Sequence, residues 1–399
     1  NQIDQNIMSN KKLRWLLIIG VILVGANLRV PLTSAGALVS FIRDDFGISN
    51  ALAGAITTLP LIAFALLSPF APKLANKIGM ERTIAISLIL LIAGILIRSA
   101  SGIELLFTGT LLVGLAIAIG NVLMPGIIKM NFPYKIGLMT GLYAIVMNVF
   151  GALGSGLSIP IATSGNLGWR GSLVIWGGLA LITLIIWLPQ LAKKHNAKKN
   201  INNQQIGGLF LSSLAWKITV FMGSQSLIFY TLITWLPTIL MANGYDIHLA
   251  GWGVFIFQFA SIPFTFIIPV IADKMKNQVM IALISSGLIL TGIAGLLAGF
   301  SELSILWIIM LGIGNGSAFS LSMMFFTLRT KDGYEAAELS GMAQSFGYLL
   351  AALGPVMVGG LQDLTGSWTL PLTLLAGVSV LMLIMGIASG KNSQVSRNV

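Results

Sequence analysis

Twelve apolar runs, most of them 20 residues or longer, follow one another along the chain: 13–41, 50–72, 82–101, 104–130, 136–162, 169–190, 211–241, 248–272, 278–300, 303–328, 336–362 and 368–389. A bilayer core is crossed by about 20 apolar residues in a helix. Only a helix satisfies its own backbone N–H and C=O groups in lipid, so runs of this length dictate helices. A β-barrel would show alternating segments of about 10 residues instead. Apolar residues make up 56% of the 399 residues and charged residues only 9%, where a soluble domain carries about 25%. The sequence therefore predicts an all-α membrane protein of twelve transmembrane helices.

The charge pattern gives orientation. Basic residues number 23 and acidic residues 12, for a formal charge of +11. Nineteen of the basic residues fall in one alternate set of loops and termini, among them Lys11, Lys12, Lys73, Lys77, Arg82, Lys129, Lys193, Lys274, Arg329 and Lys391. The opposite set holds three, Arg43, Arg98 and Arg170. The positive-inside rule then puts both termini in the cytoplasm, in a cell (inner or plasma) membrane. Because the excess follows topology, it argues for the bilayer as a partner and against nucleic acid. Arg98, near the outer end of its run, reads as an anchor snorkelling to the headgroups.

The polar stretch 192–208, "AKKHNAKKNINNQQIGG", divides the chain nearly in half and reads as a cytoplasmic linker between a bundle at 1–191 and another at 209–399. The halves are similar. "LAGAITTLPLIAFALLSPFAPKLANK" (52–77) aligns without gaps on "LAGWGVFIFQFASIPFTFIIPVIADK" (249–274), an offset of 197. Ile119-Gly120-Asn121 is echoed by Ile313-Gly314-Asn315, and Ala152-Leu153-Gly154 by Ala352-Leu353-Gly354. Two six-helix parallel repeats follow, with a solute site expected near mid-membrane.

One charge stands near the centre of an apolar run. Arg29, in "LVGANLRVPLTSAGALVSF", lies in a run without Asp or Glu. A cation at the middle of a membrane helix costs about 2.5–3.5 kcal/mol and marks a substrate path by default. Its planar, five-donor head suits a carboxylate, cyanate or nitro group. Gly25, Ala26, Leu32, Thr33 and Gly36 share its helix face, whereas Asn27 lies about 200° round the helix and faces a packing neighbour. Asn121, Tyr143, Asn315, Gln344 and Tyr348 are the further residues expected to line the site with Arg29. Asn148, Gln225, Tyr230 and Gln258 complete the polar groups at that depth.

Two segments carry a family resemblance. "PKLANKIGMERT" (72–83) resembles the loop after the second helix in the major facilitator superfamily: Leu74, Ala75, Lys77, Gly79 and Arg82 fit the pattern, while Asn76 replaces the usual acid. The second copy, "PVIADKMKN" (269–277), keeps the acid as Asp273. The resemblance implies the major facilitator fold and a conformational latch at Lys77, Gly79, Arg82 and Asp273. "GANLRVPLTSAGAL" resembles the first helix of the cyanate and nitroimidazole transporter branch, with Val30 set between Arg29 and Pro31. That branch implies a small solute, often anionic or nitro-bearing.

Other chemistries lack their residues. There is no cysteine, no phosphate-binding glycine loop and no paired-carboxylate centre, and His195 and His248 fall at opposite faces of the membrane. No enzyme activity, cofactor or metal is expected. The expectation is a monomeric secondary or facilitative transporter working by alternating access, with Arg29 on the negative end of the solute. A multidrug-type efflux antiporter for neutral or cationic compounds is the alternative, and it wants a buried acid that no run supplies near its middle.

Overall fold

The structure, a computed structural model, describes residues 2–192, 208–299 and 301–395. Most of the linker, including His195, lies outside the described residues. Those described are almost entirely helical. The first half runs α1 (Gln2–Asn27), α2 (Val30–Ala37), α3 (Val39–Phe46), α4 (Asn50–Leu67), α5 (Phe70–Ile78), α6 (Met80–Arg98), α7 (Ile103–Asn131), α8 (Ile136–Thr163) and α9 (Gly168–Trp187). The second runs α10 (Ser213–Ala242), α11 (Ile247–Lys274), α12 (Val279–Ala298), α13 (Ser304–Leu328), α14 (Gly333–Thr365) and α15 (Thr369–Gly390).

Eleven of the described helical segments are long and apolar enough to cross a membrane, and the pair Leu52–Leu67 and Phe70–Ile78, bent by 59°, makes twelve when counted as one span. The bend falls at Pro69, whose ring excludes the preceding turn's geometry and whose nitrogen donates nothing. The chain divides into two compact units, residues 1–128 with 142–202, and residues 129–141 with 203–399.

The first span departs from an unbroken helix. Residues 28 and 29 interrupt it, and Arg29 takes φ −125° and ψ −35° as the residue preceding α2. Pro31 has no N–H to give Asn27, so the ladder loses a bond at that level. Leu28 N–H turns back to the Gly25 carbonyl at 3.2 Å, and the Arg29 carbonyl restarts the ladder by accepting from Leu32 and Thr33, both at 3.1 Å.

Within the first unit, the Asn27 side chain is fully buried and donates to Thr183 Oγ1 of α9 at 2.7 Å. Trp187 Nε1 donates to the Glu81 carbonyl at 2.9 Å, tying α9 to the start of α6. A cluster of Ala35, Leu38, Ile42, Ile56, Leu106, Ala162, Trp169 and Leu173 closes one end of the unit.

Within the second unit, Arg329 after α13 gathers helix ends. Its Nε donates to the Ser389 carbonyl at 2.9 Å, and its Nη2 to the Gly390 carbonyl at 3.0 Å and to Gln278 Oε1. Burial lowers the pKa of this guanidinium from its ordinary value. The tail folds back on the same corner: Val395 N–H reaches the Arg329 carbonyl at 2.8 Å, and Gln394 Nε2 the Leu328 carbonyl at 3.0 Å.

Candidate functional site

Arg29 sits at the break in the first span. Its Nη1 donates to Asn148 Oδ1 on α8, and Asn148 Nδ2 in turn donates to the Ala144 carbonyl at 2.8 Å. That second bond fixes the amide with its oxygen toward the guanidinium. Both side chains are half-buried. The approach of the two helices depends on missing side chains. A Cβ at Gly151 would lie 2.8 Å from Arg29 Cδ, and one at Gly154 would lie 2.5 Å from Thr33 Oγ1. Glycine at 151 is thus the seat over which the Arg29 chain passes.

Electrostatics concentrate here. The first N–H groups of a helix carry a partial positive charge and favour an anion. Arg29 adds a full positive charge at the residue where α2 begins. Its acceptor Asn148 is a neutral amide, and this contact orients the guanidinium.

The other expected lining residues are placed differently. Asn121 and Tyr143 come together in the first unit, with Tyr143 Oη donating to Asn121 Oδ1 at 3.3 Å, and both are buried. The Tyr143 ring packs where Gly25 leaves room, 2.9 Å from the site of a Cβ there. In the second unit Asn315 Oδ1 accepts from Gln225 Nε2 at 2.9 Å, while Asn315 Nδ2 donates to the Gln225 carbonyl at 3.4 Å. Gln344 Nε2 donates to Ser340 Oγ at 2.7 Å, one turn away on α14. Asn315, Gln344 and Tyr348 are all buried. Of the six, Arg29 alone is more than marginally exposed. Tyr230 and Gln258 are half-buried.

Sequence reasoning gave Asn148 no special place, although the repeat sets it opposite Tyr348. It also missed the Gly151 seat, whose signal was the glycine-rich "GALGSG" at 151–156. For Arg98 the structure corrects the expectation. Its side chain does not snorkel outward: it is 1% exposed, and Nη1 donates to the Pro31 carbonyl at 2.9 Å. The end of a helical run marks axial depth, but here the side chain turns inward against α2.

The two loops that resemble each other differ in chemistry. Lys77 and Arg82 are exposed, and Gly79 joins α5 to α6 at φ 99°, in a region open to glycine and strained for other residues. Asn76 Oδ1 is buried with no hydrogen-bond partner among the described residues. Asp273 instead accepts from the Gly137 N–H at 3.0 Å, at the first turn of α8. A Cβ at Gly137 would lie 2.4 Å from the Pro269 carbonyl oxygen, so this contact requires glycine. Nearby, Lys129 Nζ donates to the Thr327 and Thr330 carbonyls at the end of α13. Among the described residues no group of three His, Cys, Asp or Glu could hold a metal ion.

The model of the Major Facilitator Superfamily matches residues 17–355. An uncharacterized transporter of Bacillus subtilis, YycB, is 46% identical over 97% of this chain and 96% of its own. The 2-nitroimidazole transporter of Escherichia coli is 39% identical over 96% of this chain and 98% of its own. The cyanate transport protein CynX of Escherichia coli is 26% identical over 88% and 91%. Among solved structures, a double-tryptophan mutant of XylE superposes with a TM-score of 0.78 at 12% identity, covering 96% of this chain and 97% of that one, which speaks for the fold. The chain belongs to the Major Facilitator Superfamily, as a transporter of the cyanate and nitroimidazole type.

Proposed function

We propose that this transporter carries a small anionic or nitro-bearing solute by alternating access, with Arg29 binding the negative end. One observation carries the reading: a half-exposed guanidinium stands at the N-terminus of a half-helix and is steered by a neutral amide, Asn148. Cation and helix terminus act in the same direction, toward a negative ligand. Discontinuous membrane helices use their half-helix N-termini for anionic substrate groups in other transporters. The names of the relatives, which carry 2-nitroimidazole and cyanate, fit that ligand class.

The Asn121–Tyr143 and Asn315–Gln225 pairs then act from behind, as polar layers that hold helices together, while Gln344 bonds within α14, one turn from Tyr348. Each such interhelical bond contributes about 0.6 kcal/mol. Asp273 acts as the latch, capping α8 in the state described here and releasing it when the cycle moves. The protein works as a monomer in the cell membrane with both termini cytoplasmic, and needs only the solute and the bilayer.

The test is uptake of cyanate, benzoate and 2-nitroimidazole into proteoliposomes, with and without a pH gradient. Charge-assisted hydrogen bonds contribute about 1.5–3 kcal/mol each. Loss of the cation in Arg29→Gln should therefore remove anion uptake while the purified protein keeps its thermal transition. Uptake at the wild-type rate by that variant overturns the assignment.

A further inference from the structure

We propose that Arg98 is a positioning residue for the anion site: a buried strut from α6 that sets where α2 lies and, through it, where Arg29 points. This inference rests on the reading of Arg29 given above.

The half-helix α2 is only eight residues long, with interruptions on both sides, at residues 28 and 29 and again at Leu38. Its own backbone therefore ties it poorly to its neighbours along the chain. α8 packs on its first turn, where Gly154 lies against Val30, and the polar contact that holds that turn from α6 is the bond from Arg98 Nη1 to the Pro31 carbonyl, 2.9 Å long and buried. Pro31 lies two residues after Arg29. The same oxygen also accepts from Ser34 Oγ at 3.3 Å.

The base of the strut is rigid. A Cβ at Gly109 would lie 2.2 Å from the Arg98 nitrogen and 2.5 Å from its Cβ, so α7 presses directly on the backbone that carries the guanidinium. The strut is also expensive to keep. Arg98 Nε and Nη2 are buried and have no hydrogen-bond partner among the described residues. A buried charge left partly unsatisfied is a poor device for stability, since an apolar side chain of similar volume fills such a space at less cost. What an apolar side chain cannot do is hold one chosen carbonyl. A charge-assisted bond to a single backbone oxygen fixes position and direction together. The molecule thus places a guanidinium on each side of the same half-helix: Arg29 meets Asn148 at its start, and Arg98 grips its first turn from α6.

The experiment uses the whole 399-residue chain, which has no cysteine. Nitroxides are attached at Gly36→Cys on α2 and Leu96→Cys on α6, both exposed. A Cβ at Gly36 makes only an ordinary 3.7 Å contact with Thr57 Cγ2. The distance distribution should broaden in Arg98→Met and stay close to wild type in Arg98→Lys, which keeps a donor. In parallel, benzoate affinity is read from transport kinetics. Arg98→Met should raise KM about tenfold with kcat little changed, and Arg98→Lys should recover most of that loss. In an Arg29→Gln background, where benzoate binding is read by titration calorimetry instead of uptake, Arg98→Met should add no further loss, because it acts through Arg29.

An unaltered distance distribution in Arg98→Met overturns the proposal, and so does a loss that adds fully to that of Arg29→Gln. If Arg29→Gln alone leaves benzoate binding intact, the anion reading of Arg29 has failed, and the distance measurement decides whether the strut exists.

Discussion

The first spans of the two halves occupy equivalent places in the repeat and are built differently. In the first half the span is cut at residues 28 and 29, and a cation stands at the cut. In the second half α10 runs unbroken from Ser213 to Ala242. The offset of 197 that relates the halves sets Arg29 opposite Ser226 and Pro31 opposite Ile228. Ile228 keeps its N–H, and the ladder continues. Beside it, Gln225 and Ser226 bond to one another at 3.3 Å, and Gln225 closes on Asn315. One half thus offers a charge on a loosened segment, and the other a neutral polar pair that satisfies itself. On the function proposed above, a duplicated framework gives binding to one copy and packing to the other. The two loops that resemble each other divide in the opposite sense: Asn76 in the first half has a buried oxygen without a hydrogen-bond partner among the described residues, and Asp273 in the second caps α8.

The largest effect should come from exchanging roles at the matched positions. Arg29→Gln is expected to reduce anion uptake in proteoliposomes at least about a hundredfold, equivalent to two charge-assisted bonds at the low end of their range. Ser226→Ala should stay within about twofold, because it removes one neutral hydrogen bond to the adjacent Gln225 of the same helix. Equal losses at the two positions would erase the asymmetry.

Next comes the seat. Gly151→Val puts methyl groups where the Arg29 chain passes, 2.8 Å from Cδ. Displacement of the guanidinium should weaken benzoate about tenfold, or about 1.4 kcal/mol. At Gly347 in the second half the nearest atom to an added Cβ is Met222 Cγ at 3.4 Å, so Gly347→Ala should leave binding unchanged.

Pro31→Ala returns an N–H to the first span and lets the ladder heal toward the continuous form of α10. Turnover should fall several-fold while the thermal transition rises; a variant that transports normally with a healed helix would show that the break is incidental. The smallest effect belongs to the latch. Asp273→Ala should cost about 1 kcal/mol, the usual value of a lost N-terminal cap, seen as a lower thermal transition. Asn76→Asp, by supplying the missing acid, should shift the transition upward or leave it in place.

Much of the architecture was legible in the residue order. Span ends fell within a few residues of the helix ends because charges and glycines bracket the apolar runs, as at Met80–Arg98 and Ile136–Thr163. The break at Arg29 was in plain view as an Arg-Val-Pro sequence, yet a window of some twenty residues averages one proline away. Depth was readable and azimuth was not. Asn121, Tyr143 and Gln344 lie inside their apolar runs, but nothing in the sequence told which side chains were already committed to each other. Arg98 escaped for a further reason: its partner is a backbone carbonyl, and every residue has one.

The corner held by Arg329 bears on how this protein can be handled. The last described residues are part of a joint: Gln394 and Val395 engage the end of α13, and Arg329 reaches back to Ser389 and Gly390. Trimming before Gln394 strips two bonds from that joint, and a reporter fused there pulls on three helix termini at once. A tether that leaves Val395 seated, with a flexible spacer after it, should report on the carrier without disturbing it.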